Sequence, residues 1–144
     1  MQHFHRLKVH LCRKESNDSM HFGFQIPKEL KHQFLFKQGQ YLTLRFVIDH
    51  EDLRRSYSIV NAPSDKNPLL EVLVKKIDDG RVSKFIYENI KEGDEIEVLA
   101  PQGHFYTHYH PSNQKTYVGI AAGSGISPVL SNVIEALYQE PQSN

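Results

Sequence analysis

Hydrophobic and polar residues alternate along most of the first two thirds of the chain. Five short runs show this period of two, and their apolar positions are Leu7, Val9 and Leu11; Met20, Phe22, Phe24 and Ile26; Leu42, Leu44, Phe46 and Ile48; Leu70, Val72 and Val74; and Ile96 and Val98. A period of two places one face of a strand against a core and the other in water. Turn-forming residues separate the runs, so the pattern predicts an antiparallel barrel or sandwich. We favour a closed barrel, because few runs look like protected edge strands.

Two segments show helical spacing instead. Residues 82–90 and residues 128–138 each repeat apolar side chains every three or four positions, which predicts two amphipathic helices. The run TYVGIAA at 116–122 is nearly continuous in small and β-branched residues, as is typical of a strand buried on both faces of a parallel sheet. The tail from residue 139 onward is expected to fray.

The change of pattern near Pro111 predicts a domain boundary. Residues 1–111 would form the β domain, and residues 112–144 the first strand and helix of an α/β domain. A single βα unit cannot cover both of its apolar faces, because a parallel sheet needs neighbours. We therefore expect the unit to be the start of a truncated domain, or to pack on the barrel or on a second copy of the chain.

Composition narrows the classes of partner. Among the 144 residues, 17 Lys and Arg balance 17 Asp and Glu, so a general electrostatic grip on nucleic acid or anionic lipid is not expected. No apolar run approaches bilayer length, which argues against a membrane protein. The lone Cys12 can form neither an internal disulfide nor an iron–sulfur cluster, and a reducing cytoplasm fits it best.

A first candidate site lies at the end of a predicted sixth strand, at Arg55, Ser56, Tyr57 and Ser58. Alternation places Arg55 and Tyr57 on one face, unless the strand bends. A guanidinium beside an aromatic ring suits a ligand that carries both a phosphate and a flat ring. The alternative is a solvated strand with a surface arginine and a packed tyrosine.

Two further motifs could bind phosphate, and each has a structural alternative. The first is Gly80, Arg81, Val82 and Ser83, at the start of the first helix, where unpaired N–H groups and the helix dipole favour an anion. The second is Gly123, Ser124, Gly125, Ile126, Ser127 and Pro128, between the predicted strand and the second helix, which is the setting of a dinucleotide loop. The alternatives are a helix cap and a tight turn with proline at the first helical position.

Two other features are interpreted as structural. Residues 101–105 (PQGHF) form a turn with an apolar anchor. The nine histidines include pairs two residues apart that could bind zinc, but no cysteine or carboxylate completes a set, so no metal site is predicted.

Taken in order, these motifs resemble the ferredoxin–NADP⁺ reductase superfamily, and within it the reductases of oxygenase systems. The family pattern is R-x-Y-S, a strand ending in a basic residue, G-x-x-S, P-x-G-x-F and G-x-G-x-x-P. All five elements occur here, beginning at Arg55, Val74, Gly80, Pro101 and Gly123.

This resemblance implies an FAD-binding barrel followed by an NAD(P)-binding domain. Arg55 would pair with the flavin pyrophosphate, Tyr57 would pack on the isoalloxazine ring, and Ser58 would bond near its N5 edge, with Ser56 beside them. Val74 and Lys75 would line the ring or ribityl chain, and the motif from Gly80 to Ser83 would hold the pyrophosphate. Tyr57 and Ser58 are the candidate catalytic residues.

The implied activity is hydride transfer from NAD(P)H to flavin and electron delivery to an iron–sulfur domain or oxygenase component. Later family elements are missing, so we expect FAD binding with poor NAD(P)H turnover. Two alternatives stay open: a non-catalytic β-barrel interaction module, and FMN in place of FAD. The uncovered βα unit is also expected to promote self-association.

Overall fold

The computed structural model describes residues 3–144. Its strands are β1 (Phe4–Lys14), β2 (Ser19–Gln25), β3 (Tyr41–Ile48), β4 (Glu51–Ser58), β5 (Leu69–Lys75) and β6 (Glu95–Leu99). Its helices are α1 (Arg81–Asn89) and α2 (Ile126–Gln139), with short 3₁₀ turns at Lys28–Leu30 and Gly123–Gly125.

The six strands form one antiparallel sheet in the order β4-β3-β6-β1-β2-β5. The sheet curls until its two outer strands meet, where Ile59 bridges Val72 and the Val60 N–H donates to the Glu71 carbonyl at 2.9 Å. The predicted mainly β antiparallel fold is confirmed. Past this bridge the ends of β4 and β5 diverge, and the opening between them becomes important below.

The inward positions of the alternating runs form the core. Leu7, Val9, Phe24, Leu42 and Val74 are fully buried. Helix α1 covers one end of the sheet with Val82 and Ile86, each 1% exposed. The core therefore follows the period-two pattern of the sequence and fixes the register of every strand.

The tight turn between β3 and β4 has an unusual backbone. Asp49 and His50 both have positive φ, at 51° and 65°, in a two-residue hairpin connection. This left-handed pair matches the twist of a hairpin, but Asn-Gly is its usual sequence. The turn directs the Asp49 carboxylate towards Arg81 at the start of α1, 3.4 Å away.

The predicted strand at 116–122 is wrong. The segment is extended but belongs to no strand, and Val118 and Ile120 are 81% and 89% exposed. Within residues 3–144 its backbone partners lie at the chain's last residues, where Tyr117 N–H donates to the Asn144 carbonyl at 2.7 Å. A parallel strand is buried only between neighbouring strands, and the described residues supply none.

Helix α2 is confirmed, but the burial of its faces is not the expected one. Its buried residues are Ser127, Ser131, Glu135 and Ala136, whereas Leu137 is 60% exposed. Ser131 donates to the Asn61 carbonyl at 2.7 Å. The helix therefore packs on the barrel through polar contacts and leaves its apolar stripe uncovered.

The expected fraying of the tail is also wrong. Glu140 is fully buried and accepts hydrogen bonds from the His110 N–H, the Tyr117 hydroxyl and the Ser143 hydroxyl, at 2.8–2.9 Å. Burial alone would raise the pKa of Glu140, but these bonds and one from Asn113 lower it to about 2. The buried carboxylate holds the end of the chain in place.

The turn at 101–105 is confirmed, but its apolar anchor is not. Gly103 has a φ of 111°, and Gln102 bridges Tyr41 at the start of β3. Phe105 is 61% exposed instead of packing in the core. Among the described residues, no helix is long and apolar enough to cross a membrane, and no group of three or more His, Cys, Asp or Glu side chains could hold a metal ion.

Candidate functional site

A cleft of about 440 Å³ opens where β4 and β5 diverge, and the start of α1 forms its third side. Its lining brings together most of the predicted cofactor residues. They are Arg55, Ser56, Tyr57, Ser58, Lys75, Gly80, Arg81, Val82 and Ser83. Motifs that lie about 25 residues apart in sequence therefore meet around one space, because the curled sheet closes β4 against β5.

The pairing of β3 with β4 sets the face of each residue in the first motif. Arg55 lies opposite Leu44 and Tyr57 opposite Leu42, so both share the inward face of the strand. Ser56 lies opposite Thr43, and their hydroxyls are 3.0 Å apart. Ser56 and Ser58 nevertheless line the cleft as well, which means that the end of the strand contributes both faces.

Tyr57 is a half-buried ring on the wall of this cleft. Burial raises the pKa of Tyr57 to about 12, and the nearby Arg55 guanidinium opposes part of that rise. The phenol is therefore neutral at all ordinary pH values. It offers a flat apolar surface beside a cation, which is the combination that a ring with a phosphate tail requires.

The start of α1 presents backbone donors to the same cleft. Gly80 is the N-cap residue and has no side-chain cap, so among the described residues the first amides of the helix lack a capping acceptor. The Ser83 hydroxyl is already used: it accepts from the Ile77 N–H and donates to the Gly80 carbonyl, both at 3.1 Å. Ser83 can therefore contribute its backbone N–H, whereas its side chain holds the loop.

Gly80 is required by close packing rather than by its backbone angles. A Cβ at this position would collide with the Ser83 hydroxyl and come within 3.1 Å of the Ile77 Cβ. Its φ of −87° is open to any residue. The loop from Ile77 to Ser83 is therefore compact because residue 80 lacks a side chain.

Three cationic side chains line the cleft, and acidic residues compensate two of them. Arg81 pairs with Glu51 at 2.7 Å, and Lys75 pairs with Asp18 at 3.3 Å. The Arg55 guanidinium instead donates to the Arg54 carbonyl at 2.7 Å, and no carboxylate among residues 3–144 forms an ion pair with it. Arg55 is thus the cation most available to an anionic ligand.

The remaining predicted residues lie at different places. Val74 is fully buried in the core, so only its backbone can reach a ligand. Of the predicted nicotinamide loop, Ser124 lines the cleft, and Gly123 and Ile126 join it in a neighbouring cleft of about 360 Å³. Gly125 and Pro128 line neither of these two clefts.

Sequence reasoning missed Leu73, Ile77 and Asp79, which also line the main cleft. Leu73 occupies an outward position between two core residues of β5, and the alternation pattern alone could have found it. Ile77 and Asp79 lie in the irregular loop before α1, where the sequence shows no period that reports a residue's direction.

Comparisons with known proteins identify the class to which this architecture belongs. A family model described as the oxidoreductase FAD-binding domain matches residues 6–107. The chain belongs to this family, and the resemblance to ferredoxin–NADP⁺ reductases is confirmed. FAD is the cofactor that this membership assigns, and the combination of Arg55, Tyr57 and the α1 amides in one cleft fits its phosphates and ring.

Particular relatives are components of oxygenase systems. The 1,2-phenylacetyl-CoA epoxidase of Escherichia coli (strain K12) contains a polypeptide that is 39% identical over 145 residues, which cover 99% of this chain and 40% of that protein. The segments FLFKQGQYLTLRF at 34–46 and RRSYSIV at 54–60 are the parts of the sequence that most indicate this relationship. The ferredoxin reductase component of 3-ketosteroid-9-alpha-monooxygenase from Rhodococcus rhodochrous is 36% identical over 135 residues, covering 92% of this chain and 37% of that protein.

Solved structures share the fold. Phthalate dioxygenase reductase superposes with a TM-score of 0.72 at 28% identity, covering 94% of this chain and 40% of that one. A ferredoxin NADP⁺ reductase from Neisseria gonorrhoeae with bound FAD and NADP gives 0.73 at 24% identity, covering 100% and 56%. The chain thus spans about two fifths of the length of the curated relatives described above.

Proposed function

We propose that this chain is the flavin-binding part of an NAD(P)H-dependent reductase that passes electrons to an iron–sulfur or oxygenase component. One observation carries the proposal: the uncompensated Arg55 guanidinium and the uncapped amides of α1 line the same cleft as the Tyr57 ring. The membership of the FAD-binding family and the oxygenase-system relatives support it. Bound FAD supplies the redox chemistry, in which an electron pair from NAD(P)H is delivered onward as single electrons.

The residues of the cleft bind and orient the cofactor. Arg55 and the N–H groups of Arg81, Val82 and Ser83 bind the pyrophosphate, because a cation and the positive end of a helix both stabilise phosphate. The Arg81 side chain stays with Glu51 and contributes through its backbone. Tyr57 packs against the isoalloxazine ring and shields one face from water.

Two other positions complete the proposed flavin contacts. Ser58 lies at the end of β4 in the same wall and donates a hydrogen bond near the reactive edge of the ring, with Ser56 beside it. The backbone of Val74 and Lys75 borders the ring or ribityl chain from β5. These roles follow the family motif, and the shared cleft supports them because the four residues approach it from its two strand walls.

The nicotinamide side is proposed to start at the loop with Gly123, Ser124 and Gly125, beyond the predicted domain boundary near residue 111. The extended segment at 116–122 is exposed and unpaired with any strand among the described residues. We therefore propose that NAD(P)H oxidation by this chain is slow. A steady-state rate with excess FAD that matches complete reductases would contradict this.

We also propose a cytoplasmic location, because the single thiol of Cys12 is unpaired and suits a reducing compartment. The residues that would name the electron acceptor lie outside the motifs that match the family. Its class, an iron–sulfur domain or an oxygenase component, is taken from the relatives.

The direct test is flavin uptake. Purified protein is stripped of ligand and titrated with FAD and, separately, with FMN, and bound flavin is followed by its absorbance shift and fluorescence quenching. We expect saturable binding with FAD tighter than FMN, because the start of α1 favours a pyrophosphate. Equal affinities would favour FMN, and no binding of either flavin would leave the interaction module as the better interpretation.

A further inference from the structure

Lys75 separates the two neighbouring clefts described above. Its side chain lines both the 440 Å³ cleft proposed for flavin and the 360 Å³ cleft beside it, as do Leu73 and Ser124. The position of the Lys75 ammonium therefore influences the electrostatic potential on both sides. What holds that ammonium in place has no assigned role so far.

Asp18, in the turn between β1 and β2, holds it. One carboxylate oxygen of Asp18 accepts from the Ser16 hydroxyl at 2.6 Å and from the Ser19 hydroxyl at 3.1 Å. The other lies 3.3 Å from the Lys75 Nζ. The Asp18 carbonyl also accepts from the Lys76 N–H at 2.6 Å, which attaches the turn to the end of β5.

This arrangement is more ordered than an ordinary surface ion pair. Exposed ion pairs contribute little to stability, because both ions are well solvated and long side chains lose entropy. Here two hydroxyls and a backbone bond fix the carboxylate before Lys75 reaches it. Asp18 lines only the neighbouring cleft, so its influence on the flavin cleft passes through Lys75.

We propose that Asp18 is a positioning residue that holds the Lys75 ammonium between the two clefts and sets how strongly the flavin cleft favours reduced FAD over oxidised FAD. This rests on the proposed function, namely that FAD occupies the cleft with Arg55. Reduction adds two electrons and one proton, so the reduced cofactor carries one more negative charge. A compensated Lys75 stabilises that charge less than a free one does.

The experiment measures the redox potential of bound FAD in the full chain. Wild type and Asp18→Asn are loaded with FAD and reduced stepwise with dithionite beside a reference dye, and the affinity for oxidised FAD is measured separately. We expect Asp18→Asn to favour the reduced form about tenfold more than wild type does, a rise of about 30 mV for a two-electron couple. Affinity for oxidised FAD should change much less.

Three variants make the result specific. Lys75→Met removes the ammonium, and in that background Asp18→Asn should have no further effect. Ser16→Ala loosens the carboxylate without changing charge, and a smaller shift in the same direction is expected even if Asp18→Asn folds poorly. Glu97→Gln removes a carboxylate that pairs with Arg45 at 3.5 Å and lines neither cleft, so its potential should equal that of wild type.

Several outcomes would overturn the proposal. An unchanged potential in both Asp18→Asn and Ser16→Ala would do so. A shift that persists in the Lys75→Met background would mean that Asp18 acts by another route, and an equal shift in Glu97→Gln would reduce the effect to net charge. Failure of wild type to bind FAD would instead reject the proposed function itself.

Discussion

Neighbouring residues of the same type have different roles in this protein. Arg54 and Arg55 are adjacent on β4, yet Arg54 pairs with Asp52 at 2.9 Å and stacks over the Phe4 ring, whereas Arg55 lines the cleft. Strand alternation directs them to opposite faces. The pair therefore provides a matched test of the anion site.

We expect Arg55→Ala to weaken FAD binding about 10- to 100-fold, because a hydrogen bond from a charged donor is worth about 1.5–3 kcal/mol. Arg54→Ala removes the same charge outside the cleft and should leave the affinity nearly unchanged. Fluorescence titration of each variant with FAD measures both. Equal losses in the two variants would show that general positive charge, and not Arg55, attracts the cofactor.

A buried histidine provides a pH dependence at the same scale. His21 is 8% exposed, with its Nε2 3.1 Å from Glu71 and its Nδ1 3.1 Å from Glu15. The hydrogen bond with Glu71 raises the pKa of His21 against the effect of burial, and the same bond lowers the pKa of Glu71. The charged pair is therefore favoured in the folded state.

The sign of the effect follows from linkage. The raised pKa of His21 adds stability that is complete below about pH 6.5 and is lost as the pH rises through the folded value. The lowered pKa of Glu71 adds stability above about pH 4.5 that is lost in more acid solution. The contribution of the pair is thus largest between about pH 4.5 and 6.5.

We expect urea denaturation to show that wild type loses about 1 kcal/mol more than His21→Gln does between pH 6 and pH 9, a modest value because solvent screens the pair. His32→Gln, at an exposed position in the loop before β3, should follow the wild-type profile. Parallel profiles for wild type and His21→Gln would contradict the assignment.

At the scale of elements, local patterns predicted the strands and helices well. Alternation of two and spacing of three or four are set by geometry within each element, so β1 to β6, α1 and α2 were all expected. The failure at 116–122 has a clear cause. Its apolar run reports a preference for burial, but only neighbouring strands can supply that burial, and the described residues do not.

The loop that starts α1 illustrates an element whose shape depends on one missing side chain. We expect Gly80→Ala to lower the free energy of unfolding by about 1–3 kcal/mol, because the added Cβ overpacks the Ser83 hydroxyl. FAD affinity should fall as well, since the first amides of α1 are displaced. Urea denaturation and FAD titration measure the two effects.

Gly125→Ala is the matched control for stability. Its φ is −62° and nothing lies within 4 Å of an added Cβ, so a change within about 0.5 kcal/mol is expected. If Gly80→Ala were as mild as Gly125→Ala, the close packing described for this loop would not matter to stability.

At the scale of the whole molecule, one surface is left uncovered. Val118 and Ile120 of the extended segment lie beside the apolar stripe of α2, where Leu137 is 60% exposed. Contiguous apolar surface with unpaired backbone groups favours association. We propose that this surface self-associates in solution.

Replacing Val118 and Ile120 together by Asp should shift the chain towards the monomer. Val47→Asp is the matched control, because Val47 is an exposed valine, 63% accessible, on β3 away from this surface. Light scattering over a range of concentrations measures the effect. A wild-type chain that stays monomeric at high concentration, or equal effects from Val47→Asp, would argue against the proposed surface.

The amino-acid sequence by itself determined the antiparallel β fold, the two helices and the order of the cofactor motifs, because each rests on periodicity or on residues adjacent in the chain. The tertiary structure alone decided which of the basic residues is free. Arg55, Lys75 and Arg81 look alike in sequence, but Asp18 and Glu51 reach two of them from distant turns. Such long-range pairing follows from the closure of the sheet, which no local pattern records.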